Sequence, residues 1–220
     1  GVGVGMFGLV VLPSMGSTKM RLSSVELSSM AKDNFRYRTQ KILQILLVVY
    51  VGLTLVETVL LRMAGMSWFE AVCNSFSTIA TGGFCTRNAS IAAYGSLWIE
   101  MIVVFFMAVS GLHFGLIFAT LTGKSNNIFR SEISRYYVLS LLLGGLIVSV
   151  SLWASDMYPT FASSMRYGFF QVVSVSSTTG FATADSSVWT PLAIMVLTLF
   201  TMQCACAGST AGGIKCDRVL

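Results

Sequence analysis

Charged side chains are scarce in this sequence, at 10% of 220 residues, whereas a soluble domain carries about 25%. Hydrophobic residues make up 55% of the chain, and mean hydropathy is +0.76. These values leave too few charges to cover a soluble domain, so the composition excludes both a soluble enzyme and a disordered tail. In a membrane, this length allows roughly five or six passes joined by loops.

Residues that bind metals or form disulfides are also few. The five cysteines are odd in number, form no CxxC pair and have no histidine nearby, so we expect apolar packing residues and not a disulfide framework or a zinc site. His113 is the single histidine. We expect it to be packed and hydrogen-bonded, with a proton-linked role as the alternative.

The amino terminus contains Gly3, Gly5 and Gly8 in a GxGxxG pattern. A dinucleotide site needs a preceding strand and a following helix, and no strand precedes these glycines. A glycine-rich membrane helix whose beginning is missing from the chain explains residues 1–12 better.

The basic residues are distributed unevenly, which indicates membrane topology and not a nucleic-acid surface. Eleven of the 14 lie in residues 13–41, in residues 123–135 or in the tail after residue 213. The remaining three are Arg62, Arg87 and Arg166. Because cytoplasmic loops carry the excess of Lys and Arg, we expect the three basic segments to be cytoplasmic.

Two short apolar segments, 67–80 and 162–177, are too brief to cross about 30 Å of hydrocarbon. Ser67 and Glu70 have capping-box spacing, which predicts a helix start, and Thr190 with Pro191 predicts another. Each short segment lies between a long apolar run, starting at Ile42 or Tyr136, and a second run that is broken by glycine. The pattern therefore predicts re-entrant helices that enter and leave by the same face.

An internal repeat relates the two halves at a shift of 97 residues. The shift aligns Thr81 with Thr178, Gly83-Phe84 with Gly180-Phe181, and the glycines of the two broken runs with each other. We divide the chain accordingly: 1–12, the end of a spanning helix; 13–41, a cytoplasmic linker; 42–122, a first repeat with a turn at 81–86; 123–135, a second cytoplasmic linker; and 136–220, a second repeat with a turn at 178–183 and a glycine-rich loop at 208–213.

Single acidic residues within the apolar runs are candidate sites, because ionisable groups in a membrane are costly. Glu57 lies near the end of its run, and we favour a position at the interface in contact with water. Glu100 opens its helix, where a carboxylate interacts favourably with the helix dipole, so that no ion partner is needed.

The turns themselves carry no acidic residue. Glycine lets backbone carbonyls turn towards an ion without a Cβ clash, and rings of carbonyls can replace the hydration shell of a cation. The spacing therefore favours a weakly hydrated monovalent cation, with threonine hydroxyls as extra ligands.

The sequence resembles the TrkH/KtrB superfamily, the membrane subunits of bacterial potassium uptake systems, and its TrkH branch in particular. The segments that carry the resemblance are 75–84, 178–183 and 206–215, and it extends over essentially the whole chain. It implies an all-α membrane protein of repeated helix–pore loop–helix units, four to a pore, of which this chain holds part of the first, the second, and most of the third.

By the same resemblance, two sets of residues have assigned roles. The expected filter positions are Thr81, Gly82, Gly83, Phe84, Thr178, Thr179, Gly180 and Phe181, where potassium would bind. The expected gate is the intramembrane loop with its flanking base: Gly208, Ser209, Thr210, Ala211, Gly212, Gly213 and Lys215. Ala211 stands where the family usually has glycine, and Lys215 serves equally well as a marker of the inner interface.

The resemblance also implies potassium as the transported ion with no organic cofactor, a bacterial inner-membrane location, a homodimer, and a cytosolic nucleotide-binding regulatory subunit. A membrane-embedded enzyme and a non-conducting assembly subunit are the alternatives. The residues leave open whether potassium or sodium is preferred, and whether transport is channel-like or coupled to protons or sodium.

Overall fold

The structure is a computed structural model and describes residues 29–121, 131–206 and 208–216, with side chains from residue 44 onward except those of Cys204 and Lys215. The expected helix end at 1–12 and much of both linkers lie outside these residues. Seven α-helices are described, followed by one strand pair: α1 Ser29–Met63, α2 Trp68–Ile79, α3 Leu97–Ser110, α4 Phe114–Leu121, α5 Glu132–Ala154, α6 Phe161–Ser176, α7 Pro191–Met202, β1 Gln203–Cys204 and β2 Ile214–Lys215. Short 3-10 helices lie at Ser90–Tyr94 and Ser186–Val188.

Two of the described helices are long and apolar enough to cross a membrane, namely Gln44–Met63 within α1 and α5. The pair α3 and α4 adds a third crossing if it is one broken span, and its two halves are bent by 103°. The break lies at Gly111, where sequence predicts it. A Cβ there would overlap the hydroxyl of the buried Tyr137 ring, so only glycine permits this approach.

Local signals predict the starts of the short helices correctly. The Ser67 hydroxyl accepts a hydrogen bond from Glu70 N at 3.3 Å, and the Glu70 carboxylate accepts one from Ser67 N at 3.3 Å. This reciprocal capping box starts α2. At α7, Thr190 Oγ1 accepts from Ala193 N at 3.3 Å and Pro191 occupies the first turn, as expected.

Two helix ends differ from the sequence-based expectation. The helix α1 is already present at Ser29, upstream of the expected start at Ile42. The helix α7 ends at Met202, well before Gly208, because β1 pairs in parallel with β2. This pairing joins the two ends of the glycine-rich loop, so the loop closes on itself.

The expectation for Glu57 is wrong. Its side chain is fully buried where α1 packs on α2 and does not contact water at an interface. The Thr78 hydroxyl lies near the carboxylate but donates to Asn74 O at 2.8 Å, and neither carboxylate oxygen has a close hydrogen-bond partner among the described residues. Burying a carboxyl group without a hydrogen-bond partner is costly. The buried hydroxyls of Thr58 and Ser75 bond to each other at 2.6 Å and not to this carboxylate.

Glu100 has an ion partner that the sequence analysis did not expect. Arg166 on α6 donates to both of its carboxylate oxygens, at 2.6 and 2.7 Å. Glu100 is buried at the start of α3. This bidentate pair joins the second span of the first repeat to the short helix of the second repeat.

Candidate functional site

The two glycine-centred turns end their helices with the same backbone hydrogen bonds. In the first turn, the donors and acceptors are Ala80 N to Phe76 O (3.0 Å), Thr81 N to Thr78 O (3.0 Å) and Gly82 N to Ser77 O (2.7 Å). In the second, they are Ser177 N to Val173 O (2.9 Å), Thr178 N to Val175 O (2.9 Å) and Thr179 N to Ser174 O (3.0 Å). Every donor and acceptor is related by the shift of 97 residues. This pattern is a Schellman-type helix end, repeated twice.

A β-branched residue occupies the left-handed position of each helix end. Thr81 has φ +53° and Thr178 has φ +55°, where glycine or asparagine is usual. A β-branched side chain at positive φ is a true backbone outlier, and such strain collects at functional sites. Gly83 and Gly180, two residues later, also have positive φ, at +70° and +85°.

The two turns touch each other through backbone. A Cβ at Gly83 would overlap the carbonyl oxygen of Thr179, so the first turn approaches the second as closely as glycine allows. A Cβ at Gly180 would meet nothing within 4 Å. The space beside Gly180 is therefore open, although its φ disfavours any side chain.

The surroundings of the turns differ between the repeats. Phe181 is fully buried, and Ser174 Oγ donates to its carbonyl oxygen at 2.6 Å. The equivalent Phe84 is 82% exposed, and the equivalent Ser77 Oγ has no partner among the described residues. An open groove beside the first turn includes both Phe84 and Ser77.

The first repeat covers the second turn. Ala92 N donates to Ala182 O at 3.2 Å, and Ser90 Oγ accepts from Ala182 N at 3.2 Å. Ile91 between them is fully buried. The equivalent residue in the second repeat, Val188, is 66% exposed. The surface around Ile91 and the surface of the second turn therefore each have a repeat-related copy, at Val188 and at the first turn. Neither copy makes this contact in the described chain.

The loop at 208–213 is not helical, as its composition predicts. Gly208 and Gly213 have positive φ, at +75° and +71°. The loop hydroxyls bond to backbone carbonyls: Ser209 Oγ to Cys206 O at 2.6 Å and Thr210 Oγ1 to Ser110 O at 3.3 Å. Hydroxyls thus satisfy part of the backbone hydrogen bonding that the interruption of the helix leaves open.

One three-residue part of this loop contacts both turns. Thr81 Oγ1 donates to Thr210 O at 3.1 Å, and Thr178 Oγ1 accepts from Gly212 N at 2.8 Å. The structure therefore brings the predicted filter and gate residues into direct contact. The side chain of Lys215, the remaining predicted gate residue, is not described.

His113 lies at the break between α3 and α4, beside the loop. Its Nδ1 accepts a hydrogen bond from Gly115 N at 3.0 Å, as expected. The expectation that this histidine is packed is wrong, because the residue is exposed at the break between the two helices. Its ring is so close to Gly208 that a Cβ there would lie 2.7 Å from Nε2. Phe114 N donates to Gly208 O at 3.2 Å, which fixes the loop on this side.

The chemistry of the site is confined to neutral oxygens. Within the described ranges, no group of three His, Cys, Asp or Glu side chains is placed to hold a metal ion. The turns and the loop between them provide backbone carbonyls and hydroxyls. Sequence reasoning found these residues but missed Ser90, Ala92 and Ser110, whose roles depend on contacts far apart in the chain. Ser90 and Ser110 carry a weak signal, because each is a polar residue beside a predicted turn or break.

Comparisons with known proteins agree with this fold. A family model described as "TrkH: Cation transport protein" matches residues 1–144 and 155–220. The Trk system potassium uptake protein TrkH of Salmonella typhimurium is 36% identical over all of this chain, and TrkI of Halomonas elongata is 34% identical over 99% of it. The chain covers 46% and 44% of these relatives, so it spans about half of their length.

A solved structure gives the same result. The potassium transporter TrkH from Vibrio parahaemolyticus matches 99% of this chain with a TM-score of 0.81 and 28% identity, and the match covers 44% of that protein. The repeated helical pore-loop architecture expected from the sequence is therefore confirmed. The family consists of transporters and not enzymes. The chain belongs to the TrkH family of cation transport proteins.

Proposed function

We propose that the intact protein carries potassium across the bacterial plasma membrane and selects the ion at the two glycine-centred turns. The observation that carries this proposal is the shared backbone geometry of the two helix ends, with three equivalent hydrogen bonds and nearly equal positive φ at Thr81 and Thr178. Relatives named as potassium uptake proteins match the whole chain and support the choice of ion.

The proposed ligands are the carbonyl oxygens of residues 81–84 and 178–181, with the threonine hydroxyl oxygens as additional ligands. Neutral oxygens replace a hydration shell without adding charge, which suits a weakly hydrated monovalent cation. Each short helix also directs its carboxyl-terminal, partially negative end at its turn. No organic cofactor takes part in this proposal.

The loop at 208–213 is the proposed gate. Three glycines weaken a helix locally by about 3 kcal/mol in total, and a loop at membrane depth is tolerated where it lines a water-filled cavity or is buried in protein. The bias of basic residues supports cytoplasmic placement of the linkers. Further pore repeats, a homodimer and a cytosolic nucleotide-binding subunit complete the proposed assembly in the inner membrane.

Gly180→Ser tests the proposed filter most cleanly, because the added Cβ has free space and only the backbone conformation is challenged. We expect the ratio of rubidium to sodium uptake by the intact protein in proteoliposomes to fall severalfold. Gly95→Ser is the matched control, since Gly95 also has positive φ and free space but lies outside the turns. An unchanged ratio in folded Gly180→Ser protein removes this turn from the filter.

Deletion of residues 208–213 tests the proposed gate separately. Rubidium flux should rise, while the preference for rubidium over sodium is retained because the turns remain. Unchanged flux in folded protein contradicts the gate assignment and leaves the filter assignment to the preceding test.

A further inference from the structure

The hydrogen bonds between the loop and the two turns differ in length and in donor. The bond from Gly212 N to Thr178 Oγ1 is 2.8 Å long, and that from Thr81 Oγ1 to Thr210 O is 3.1 Å long. A hydroxyl has a single proton to donate. The Thr81 proton is shared with Ala80 O, which lies nearer at 2.7 Å, so Thr81 loses little when the loop departs.

The bond at Thr178 is different in kind, because its oxygen acts as acceptor for a backbone N–H. The helix end fixes the backbone of Thr178 at φ +55° with two flanking hydrogen bonds from Thr178 N and Thr179 N. The acceptor is therefore held by the turn and not by the loop. A Cβ on Gly212 would lie 3.9 Å from Thr178 Oγ1, an ordinary van der Waals contact. Close packing therefore does not hold Gly212 in this position.

The rest of the loop is fixed on its other side. Phe114 N donates to Gly208 O at 3.2 Å, Cys206 N donates to Gly111 O at 3.0 Å, and Thr210 Oγ1 donates to Ser110 O at 3.3 Å. These bonds anchor the start and middle of the loop to the broken span. The end of the loop is held by the pairing of β2 with β1 and by Cys216 N, which donates to Ala205 O at 3.3 Å. Between these anchors, the exposed Gly212 is joined to the turns by the Thr178 hydroxyl.

We propose that the Thr178 hydroxyl is a latch that holds the loop at Gly212 in the closed position, with Thr81 as a weaker second contact. The proposal rests on the function proposed for the loop, and it assigns to one side chain of the filter turn a second role, in positioning the gate. Loss of the hydroxyl removes one hydrogen bond from the closed position and leaves the open position unchanged. A typical net hydrogen-bond contribution then shifts the balance towards the open loop by roughly fivefold.

The test compares Thr178→Val with Thr178→Ser in the intact protein. Valine keeps the branched shape of threonine and removes the acceptor, whereas serine keeps the acceptor. Thr198→Val is the matched control, because Thr198 is an exposed residue of α7 whose hydroxyl donates to Ile194 O in its own helix. Thr178→Ala is a second variant without the hydroxyl, for use if Thr178→Val does not fold.

Two quantities are measured for each variant: rubidium flux in proteoliposomes, and amide hydrogen exchange of the peptide that contains residues 208–216. We expect Thr178→Val to raise the exchange rate by roughly fivefold and Thr81→Val to raise it less, with the exchange rates of Thr178→Ser and Thr198→Val near that of the parent. Rubidium flux should rise in Thr178→Val and stay at the parent level in Thr198→Val. An unchanged exchange rate in folded Thr178→Val protein overturns the latch, as does a Thr178→Ser variant whose exchange rate rises as much as that of Thr178→Val.

The hydrogen-exchange measurement does not require transport activity. A failure of the proposed function can therefore be distinguished from a failure of the proposed latch. If the intact protein carries no rubidium, the proposed function fails, and the exchange rates alone decide whether Thr178 holds the loop. If the selectivity test at Gly180 succeeds and the exchange rates do not respond to Thr178→Val, the latch alone is wrong.

Discussion

At the residue scale, the two ion pairs of the described chain illustrate how burial changes the contribution of an ion pair to stability. Arg166 holds the buried carboxylate of Glu100 through two short bonds. Arg87 meets Glu70 through one bond of 2.9 Å, and about half of its own side chain is exposed. An exposed pair contributes about 0–1 kcal/mol, whereas removal of one partner from a buried pair leaves an unsatisfied charge.

We therefore expect Glu100→Gln to destabilise the protein by about 2 kcal/mol, because the Arg166 guanidinium loses its charged acceptor. Arg87→Gln, the exposed counterpart, should change stability much less, because water and salt screen this pair. Thermal unfolding in detergent gives both values. Equal shifts for the two variants would mean that the bond between α3 and α6 does not hold the repeats together.

At the element scale, the start of α2 links helix formation to pH. Hydrogen bonds from Arg87 and then from Ser67 lower the pKa of the Glu70 carboxyl. A carboxyl with a lowered folded-state pKa contributes stability above its usual value, about 4.3, and this contribution is lost as pH falls through the lowered pKa.

Glu70→Gln should therefore remove part of the fall in the unfolding midpoint between neutral pH and pH 3. Arg87→Gln should remove a smaller part, because the bonds with Ser67 remain. The measurement is a series of thermal unfolding curves for the parent and both variants. A Glu70→Gln series that runs parallel to that of the parent contradicts this account of the α2 cap.

The elements also divide into those that sequence predicts and those that it does not. The caps at Ser67 and Thr190, the break at Gly111 and the turn at Gly180 follow from contacts within a few residues, so their signals are local. The early end of α7 depends on strand pairing across residues 203–215, and the partner of Glu100 lies on another repeat. The burial of Glu57 likewise results from packing between helices, which a single apolar run cannot indicate.

At the scale of the whole molecule, the contact between the repeats has two surfaces, and each occurs a second time without a partner among the described residues. Ile91 and Phe181 are buried where the repeats meet, whereas their equivalents Val188 and Phe84 are exposed. The same surfaces, placed on further repeats, would bury both. The described chain therefore has one open surface at each end of the pair of repeats.

We predict that Val188→Cys and Phe84→Cys, in a background without the native cysteines, react slowly with a water-soluble maleimide in the intact protein. The same positions should react quickly in the isolated 220-residue chain, because none of the described residues covers them. Trp98→Cys, an exposed residue near the start of α3, is the control and should react alike in both. Equally fast labelling of Val188→Cys in both samples contradicts the proposed continuation of the repeats.

Anomalous X-ray scattering from rubidium in crystals of the intact protein locates the ion that we propose the two turns bind. We expect an anomalous peak in contact with the carbonyl oxygens of both turns, one that is lost in Gly180→Ser and retained in Gly95→Ser. Rubidium peaks that lie elsewhere, in crystals where both turns are ordered, would mean that the turns are not the ion site.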